Sequence, residues 1–150
     1  MQTTFNTLLP IAIGADHAGF EYKEQIIDWL KHSTFSVKDF GTNSLASVDY
    51  PDFAHPVAAS VAVAETAFGI LLCGSANGVA ITANKHQSIR AGLCWNNEVA
   101  KLVRLHNNAN IICIPARFVS LEMAIDMINI FMQTAFEGGR HQTRINKIGC

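Results

Sequence analysis

The chain has 150 residues and a formal net charge of −1, with 11 Lys and Arg against 12 Asp and Glu. A nucleic-acid-binding surface needs a larger basic excess, so we expect no nucleic-acid partner. Residues 1–6 are polar and no apolar run is long enough to span a membrane, so we expect no membrane association and a cytoplasmic location. Apolar residues make up 49% and charged residues 15%, which predicts one domain over residues 1–150 that self-associates.

Short β-type runs alternate with helical patterns along the chain. The predicted strands are Pro10–Gly14, Ser36–Phe40, Phe68–Cys73, Ile89–Leu93 and Ile111–Pro115. The predicted helices are Phe20–Lys31, Asp52–Ala64, Gly78–Asn84, Asn96–His106 and Leu121–Phe136. This βαβ order predicts an α/β fold, a three-layer Rossmann-like sandwich with a five-stranded, mostly parallel sheet.

The last predicted helix is apolar nearly all round, which is typical of a helix buried on more than one side. Either one of its faces meets a second subunit, or the helix is a core element under the C-terminal tail. On the first interpretation, residues 121–150 contribute to a dimer interface.

The segment Gly14–Gly19 follows the first strand and opens the first helix, a position where proteins often hold phosphates. It fits neither G-x-G-x-x-G nor the P-loop, so nucleotide binding has weak support. Taken alone, the segment favours Asp16 as a helix N-cap and His17 as a surface residue. Further on, Tyr50 precedes Pro51, which places its hydroxyl over the same sheet edge or simply marks a turn.

Cys73 ends a buried strand, and a glycine-containing turn follows it, so this thiol is the best candidate for chemistry. An isolated cysteine in an apolar strand is more often a buried hydrophobe. The turn, with Gly74, Ser75, Asn77 and Gly78, suits an enolate oxygen or is a tight strand-to-helix connection. With no C-x-x-C pair among its four cysteines, the chain gives no indication of disulfides or of a zinc site.

Three further polar groups lie later in the chain. His106 and Asn107 end the fourth predicted helix, where a histidine is either a proton carrier or an ordinary cap. Arg140 and Arg144 follow two glycines and lie four residues apart, which on a helix places both on one face. Either they bind a phosphate together or the segment is a solvated basic tail, and the Gly-Gly hinge favours the phosphate. Arg117, just past the fifth strand, is a weaker candidate for the same role.

Together these segments resemble the type B ribose-5-phosphate isomerases and the related galactose-6-phosphate isomerase subunits. The resemblance covers nearly the whole chain, and its landmarks are Gly14–Gly19, Asp49–Pro51, Cys73–Ser75 with Gly78, Ala83–Lys85, Arg104–Asn107 and Gly138–Arg144. It implies a homodimer, sometimes paired into a tetramer, with active sites built from both subunits. It also implies a phosphorylated sugar substrate and neither a metal nor an organic cofactor.

The resemblance assigns roles to individual residues. It implies that Cys73 is the base that moves a proton between C2 and C1 of the open-chain sugar, assisted by Ser75. It implies ring opening by Asp16 and His106. The remaining substrate contacts that we expect are His17, Arg117, Arg140 and Arg144 at the phosphate, and Tyr50, Gly74, Asn77, Gly78 and Asn107 around the sugar.

Two positions depart from the family pattern. Many relatives have glycine where this chain has Ala76, and a subgroup that lacks the cysteine uses a glutamate where this chain has Val79. Cys73 is therefore the base that fits, acting through a modestly lowered pKa or a minor thiolate fraction. The rival hypotheses are isomerisation of a six-carbon sugar phosphate such as allose or galactose 6-phosphate, and sugar-phosphate binding without catalysis.

Overall fold

The computed structural model describes residues 3–149, over which five strands and six helices alternate. The strands are β1 (Ile11–Ala15), β2 (Val37–Asp39), β3 (Gly69–Cys73), β4 (Ala91–Leu93) and β5 (Ile111–Pro115). The helices are α1 (Phe20–His32), α2 (Pro51–Ala62), α3 (Asn77–Ala83), α4 (Asn97–Asn107), α5 (Leu121–Gln133) and α6 (Arg140–Ile145). All ten elements predicted from the sequence are present, and α6 carries Arg140 and Arg144 as expected.

The five strands form one sheet in the order β2-β1-β3-β5-β4, and every neighbouring pair is parallel. The sheet is therefore wholly parallel rather than mostly so. The chain winds outwards in one direction from β1 and in the other from β3, so the topological switch point lies between these two strands. In open α/β sheets, the crevice outside the carboxyl ends of the strands at this point is where ligands bind.

Side chains alternate between two core layers, one on each face of the sheet. On one face, Ile11 and Ile13 of β1 pack with α1, α4 and α5. On the other face, Ala12 of β1 and Cys73 of β3 pack with α2 and α3. This is the predicted three-layer sandwich, and it places the Cys73 thiol on the α2 and α3 side.

Three predicted boundaries are wrong by two or more residues, each for a local reason. α2 ends at Ala62 rather than Ala64, because Ala64 has a left-handed φ of +55° that does not continue the helix. β4 begins at Ala91 rather than Ile89, because the Ile89 N–H donates to the His86 carbonyl and the Arg90 N–H donates to Asn110. α5 ends at Gln133 rather than Phe136. There the Thr134 hydroxyl donates to the Ile130 carbonyl and the backbone becomes extended.

The apolar circumference of α5 is accounted for within the chain itself. Five of its side chains are buried in the core, and α5 packs against both α4 and β5. The core-helix interpretation therefore accounts for these five side chains, with α4 rather than the tail covering the second face. A role of residues 121–150 in a dimer interface stays a prediction. Across residues 3–149, no helix combines the length and the apolar character needed to cross a bilayer.

Candidate active site

A cleft of about 370 Å³ opens at the carboxyl ends of β1, β3 and β5. Its lining comprises Asp16, His17, Ala18, Cys73, Gly74, Ser75, Arg117 and Phe118. Six of the predicted site residues therefore meet here, although they come from three segments far apart in sequence. They converge because β1, β3 and β5 are neighbouring parallel strands, so their carboxyl ends lie side by side at the same end of the sheet.

Asp16 is fixed by the turn that connects β1 to α1. Its Oδ1 accepts hydrogen bonds from the N–H groups of Ala18 (2.9 Å) and Gly19 (3.1 Å). The N-cap position of α1 is Gly19, so the interpretation of Asp16 as the helix cap is wrong. The carboxylate is only 6% exposed, and its second oxygen points towards Cys73.

The Cys73 thiol donates a hydrogen bond to Oδ2 of Asp16 across 3.1 Å and is 8% exposed. Burial, and then the hydrogen bond and negative charge of Asp16, raise the pKa of Cys73, while the N–H groups of Ala76 and Ser75 oppose that shift. The expectation of a lowered pKa for Cys73 is therefore wrong, because its surroundings raise that pKa. The sulfur is held as a thiol beside a proton acceptor.

Arg117 reaches Cys73 through the loop that follows β5. The N–H of Ala116 donates to the Cys73 carbonyl (2.9 Å), and the N–H of Arg117 donates to the Gly74 carbonyl (3.2 Å). A Cβ on Gly74 would lie 3.3 to 3.4 Å from the Arg117 side chain, so the glycine lets the guanidinium approach closely. This places an exposed cation beside the thiol, where a phosphate or another anion can bind.

His17 is half-buried next to Asp16, and its Nδ1 accepts a hydrogen bond from the Val48 N–H at 3.3 Å. The expectation of a plain surface residue is therefore wrong. With Nδ1 held by the β2–α2 loop, the ring presents Nε2 as its remaining donor.

Tyr50 occupies the N-cap position of α2, and its ring lies directly over Gly78 at the start of α3. A Cβ on Gly78 would lie 2.5 Å from Cζ of Tyr50, so only glycine leaves room for this ring. Beside it, the Asn77 amide donates to the Ser75 hydroxyl at 3.3 Å, which orients that hydroxyl. The turn after β3 thus gathers Ser75, Asn77, Gly78 and Tyr50.

Ala76 has φ +61° and ψ −2°, the left-handed conformation that favours glycine. The side chain is fully buried, and the residue caps the N-terminus of α3. The position that the sequence marked as a departure from the expected glycine therefore has a backbone conformation that favours glycine. This strained turn directs the N–H groups of Ser75 and Ala76 at the Cys73 sulfur.

A second polar cluster forms where α4 ends and α6 begins. The rings of His106 and His141 stack with centroids 4.2 Å apart and an interplanar angle of 9°. Oε2 of Glu137 lies 3.8 Å from Nε2 of His106 and 3.7 Å from Nε2 of His141. Desolvation, and then the neighbouring His106, lower the pKa of His141.

Two consecutive glycines bring α6 back onto α4. Gly138 and Gly139 have φ of +74° and +55°, and a Cβ on either would meet nothing within 4 Å. The requirement for glycine here is therefore conformational and not steric. On the helix that follows, Arg140 and Arg144 are both exposed.

The two clusters lie at opposite ends of the strands: the cleft is at the carboxyl ends, and the histidine cluster is near the amino ends. α4 connects the parallel neighbours β4 and β5, so it runs back along the sheet and ends near their amino ends. The Arg90 Nε–H, just before β4, donates to the Asn107 carbonyl that ends α4, which confirms this position. Among the described residues, the lining of the cleft includes none of His106, Asn107, Arg140 and Arg144.

Two members of the second cluster, Glu137 and His141, were not among the site residues predicted from the sequence. His141 lies beside Arg140, and its spacing of four from Glu137 was the available signal. Phe118 was missed at the first cleft, where its ring lines the opening while remaining 76% exposed.

The fold and the cleft together define a Rossmann-like α/β protein with a thiol and its carboxylate partner at the topological switch point. A model of the Ribose/Galactose Isomerase family matches residues 11–148. Ribose-5-phosphate isomerase B of Escherichia coli (strain K12) is 41% identical over 138 residues, which cover 92% of this chain and 93% of that protein.

Solved structures give the same result. A ribose 5-phosphate isomerase from Thermotoga maritima is 47% identical with a TM-score of 0.92, covering 94% of this chain and 97% of that one. Ribose-5-phosphate isomerase B from Mycoplasma genitalium, solved with bound ribulose-5-phosphate, is 41% identical with a TM-score of 0.90 over 95% of each chain. The chain belongs to the Ribose/Galactose Isomerase family, which confirms the resemblance found in its sequence.

Proposed function

We propose that this chain is an aldose–ketose isomerase that interconverts D-ribose 5-phosphate and D-ribulose 5-phosphate through a cis-enediolate. The reaction belongs to the non-oxidative pentose phosphate pathway. The observation that carries the proposal is the Cys73–Asp16 hydrogen bond of 3.1 Å in a cleft at the switch point of the sheet. Identity of about 40% to proteins named ribose-5-phosphate isomerase B, over nearly the whole chain, supports the choice of substrate.

The proposed proton transfer begins at the thiol. Asp16 accepts the Cys73 proton through Oδ2, and the N–H groups of Ser75 and Ala76 stabilise the thiolate that forms. The thiolate removes the C2 proton of the open-chain aldose, and the same proton returns to C1 after the enediolate forms. The O2 hydroxyl must also lose its proton while O1 gains one. The Ser75 hydroxyl, oriented by Asn77, relays this proton between the two enediolate oxygens.

We further propose that each active site takes residues from two copies of the chain, so that the enzyme is a homodimer. His106 and Asn107 end α4 near the amino ends of the strands, whereas Cys73 lies at the carboxyl ends. Arg140 and Arg144 lie on α6, which adjoins α4. Only a second copy can therefore bring these groups to the cleft. In this arrangement the partner supplies His106 for ring opening and the two α6 arginines for phosphate, while Arg117 comes from the subunit of Cys73.

Exposed apolar side chains support association around the cleft. Phe118 is 76% exposed at its rim, and Ile81 of α3 is 62% exposed. Side chains of this size are commonly covered in an oligomer interface.

The three cysteines within the described residues are all free thiols, which supports the proposed cytoplasmic location.

The first test measures isomerisation of ribose 5-phosphate in EDTA by the wild type and by Cys73→Ala. We expect turnover by the wild type, and loss of C2 proton exchange with retained ring opening in the variant. A higher kcat/KM for allose or galactose 6-phosphate would transfer the assignment to a six-carbon substrate. Tight phosphosugar binding without any proton exchange in the wild type would mean a binding protein.

The second test mixes inactive variants under conditions that exchange subunits. In a Cys73→Ala and Arg144→Ala heterodimer, one composite site is intact, so an equal mixture recovers about a quarter of the wild-type activity. The matched control mixes Cys73→Ala with Ser75→Ala, which lie in the same cleft, and recovers none. Equal recovery in both mixtures, or none in either, would contradict the two-subunit site.

A further inference from the structure

The cluster of His106, Glu137 and His141 has the composition and spacing of a transition-metal site. Its two imidazole nitrogens and one carboxylate oxygen all lie within 4.8 Å of one another. Two histidines and one carboxylate form a common ligand set for Zn²⁺, with the fourth position taken by water. We propose that these three residues bind Zn²⁺ and that the bound ion inhibits the enzyme.

An unpartnered buried atom supports this site independently of the spacing. Nε2 of His141 is fully buried, and among the described residues it has no hydrogen-bond partner. The His141 side chain is 5% exposed, and Nε2 faces the Glu137 carboxylate at 3.7 Å, too far for a hydrogen bond. A buried nitrogen without a hydrogen-bond partner destabilises the fold, and a ligated cation would remove that cost.

The required rearrangement falls on the two more exposed side chains of the cluster. Ligands of a tetrahedral zinc lie about 3.4 Å apart, given metal–ligand distances near 2.1 Å, so the gaps of 3.7 and 3.8 Å must close slightly. The Glu137 side chain is 59% exposed and that of His106 is 38% exposed, so both can move. His106 must also tilt out of its parallel stack, because zinc binds in the plane of each imidazole.

The backbone around the cluster is already fixed. The Glu137 N–H donates to the Leu105 carbonyl at 3.0 Å, which ties Glu137 to the end of α4 beside His106. His141 is held by the turn at Gly138 and Gly139, where its N–H donates to the Gly138 carbonyl at 3.1 Å. Because the backbone of the ligands is positioned before the metal arrives, only side-chain ordering opposes binding.

Arg140 and Arg144 lie on the same short helix, and their positive charges oppose a dication. This repulsion favours a moderate, reversible affinity rather than that of a structural zinc. The consequence for function follows from His106, which cannot carry a proton while its nitrogen binds zinc. This last step rests on the proposed function, whereas metal binding itself does not.

The test is calorimetric titration of the wild-type protein with Zn²⁺, with Co²⁺ absorption as a spectroscopic probe. We expect one site per chain and a Co²⁺ spectrum of nitrogen and oxygen ligands without thiolate charge transfer. His141→Ala and Glu137→Gln should each weaken binding by at least about tenfold. Because His141 is buried, the exposed Glu137→Gln variant keeps the test independent of any folding defect.

The matched control is His55→Ala, which disrupts the exposed His55–His86 pair, whose ring nitrogens lie 2.9 Å apart. This variant should bind zinc like the wild type. Loss of binding in His55→Ala, or unchanged binding in both cluster variants, would overturn the site. Zinc should also inhibit isomerisation reversibly with EDTA, and Glu137→Gln should need about tenfold more zinc relative to its own activity.

The two proposals can fail separately. Absence of isomerisation in EDTA counts against the proposed function and leaves the calorimetric result standing. Binding at the cluster with no inhibition refutes the inhibitory part of this inference.

Discussion

The sulfur of Cys73 donates a hydrogen bond to Oδ2 of Asp16, while Oδ1 of the same carboxylate is held by two backbone N–H groups. The carboxylate is therefore fixed in position with one oxygen free for the thiol proton. This relationship raises the pKa of the thiol and at the same time supplies its proton acceptor.

The first prediction concerns the pH dependence of Cys73 alkylation. Burial and Asp16 raise the pKa of the thiol above its usual 9.0, so its thiolate forms at higher pH than that of an unfolded cysteine. In a Cys150→Ser background, the iodoacetamide rate at Cys73 should rise with a midpoint above that of the urea-unfolded protein. Peptide mass spectrometry follows each cysteine, and Cys94, with a pKa raised to about 12, serves as the slow internal control. A midpoint below the unfolded reference would contradict the prediction.

The same shift has a consequence for stability. The folded state favours the protonated thiol of Cys73, and this preference contributes to the free energy of unfolding. The contribution is fully present below pH 9.0 and is lost as the pH rises through the higher folded-state pKa.

The second prediction is that Asp16→Asn lowers the pKa of Cys73 and yet lowers activity. The substitution removes the negative charge and the acceptor that raise the thiol pKa. Asparagine keeps an Oδ1 for Ala18 and Gly19, so the turn should persist. We expect the alkylation midpoint to fall and kcat to drop by about 10² or more, because the thiol proton loses its acceptor.

The control for this variant is Asp28→Asn on the exposed side of α1, which should change neither quantity. An Asp16→Asn enzyme with full activity would show that the carboxylate takes no part in proton transfer.

The third prediction is a coupling between Gly78 and Tyr50. Gly78→Ala places a Cβ 2.5 Å from the Tyr50 ring, so it should lower the free energy of unfolding by about 1–3 kcal/mol. In a Tyr50→Ala background the clash is gone, and the same substitution should raise stability by about 0.5–1 kcal/mol, because Gly78 lies in α3. Urea unfolding of the four proteins at one concentration measures the cycle. Additive effects would mean that the two residues do not touch.

The fourth prediction concerns Ala76, whose φ of +61° suits glycine. Ala76→Gly relieves about 1–2 kcal/mol of left-handed strain. It also loses a buried methyl worth about 0.8 kcal/mol. The greater conformational freedom of glycine in the unfolded chain lowers stability further, by about 0.4–1 kcal/mol. We therefore expect a change in unfolding free energy near zero.

The matched control is Ala58→Gly in the middle of α2, where the methyl is also fully buried. This change should cost about 1 kcal/mol of helix propensity and about 0.8 kcal/mol of burial. Equal losses for the two variants in urea unfolding would refute the strain at Ala76.

The alternation of strands and helices, and the place of Cys73, could be predicted from the sequence because both depend on local patterns. Short apolar runs bounded by turn residues mark the buried strands, and the helical periodicity between them predicts crossover connections. The thiol at a strand end followed from the same pattern. Boundaries such as the start of β4 were missed because the side chain of Asn110, twenty residues away, binds the Arg90 N–H.

What the tertiary structure decided is which of the predicted site residues meet. The strand order puts β1, β3 and β5 side by side, so Asp16, Cys73 and Arg117 share one cleft. Helix α4 runs antiparallel to the strands, so His106 lies near their amino ends. There the positive φ angles of Gly138 and Gly139 turn the chain so that His141 stacks on His106. Contacts of this kind depend on long-range packing, which no local pattern encodes, whereas element type depends on periodicity within a few residues.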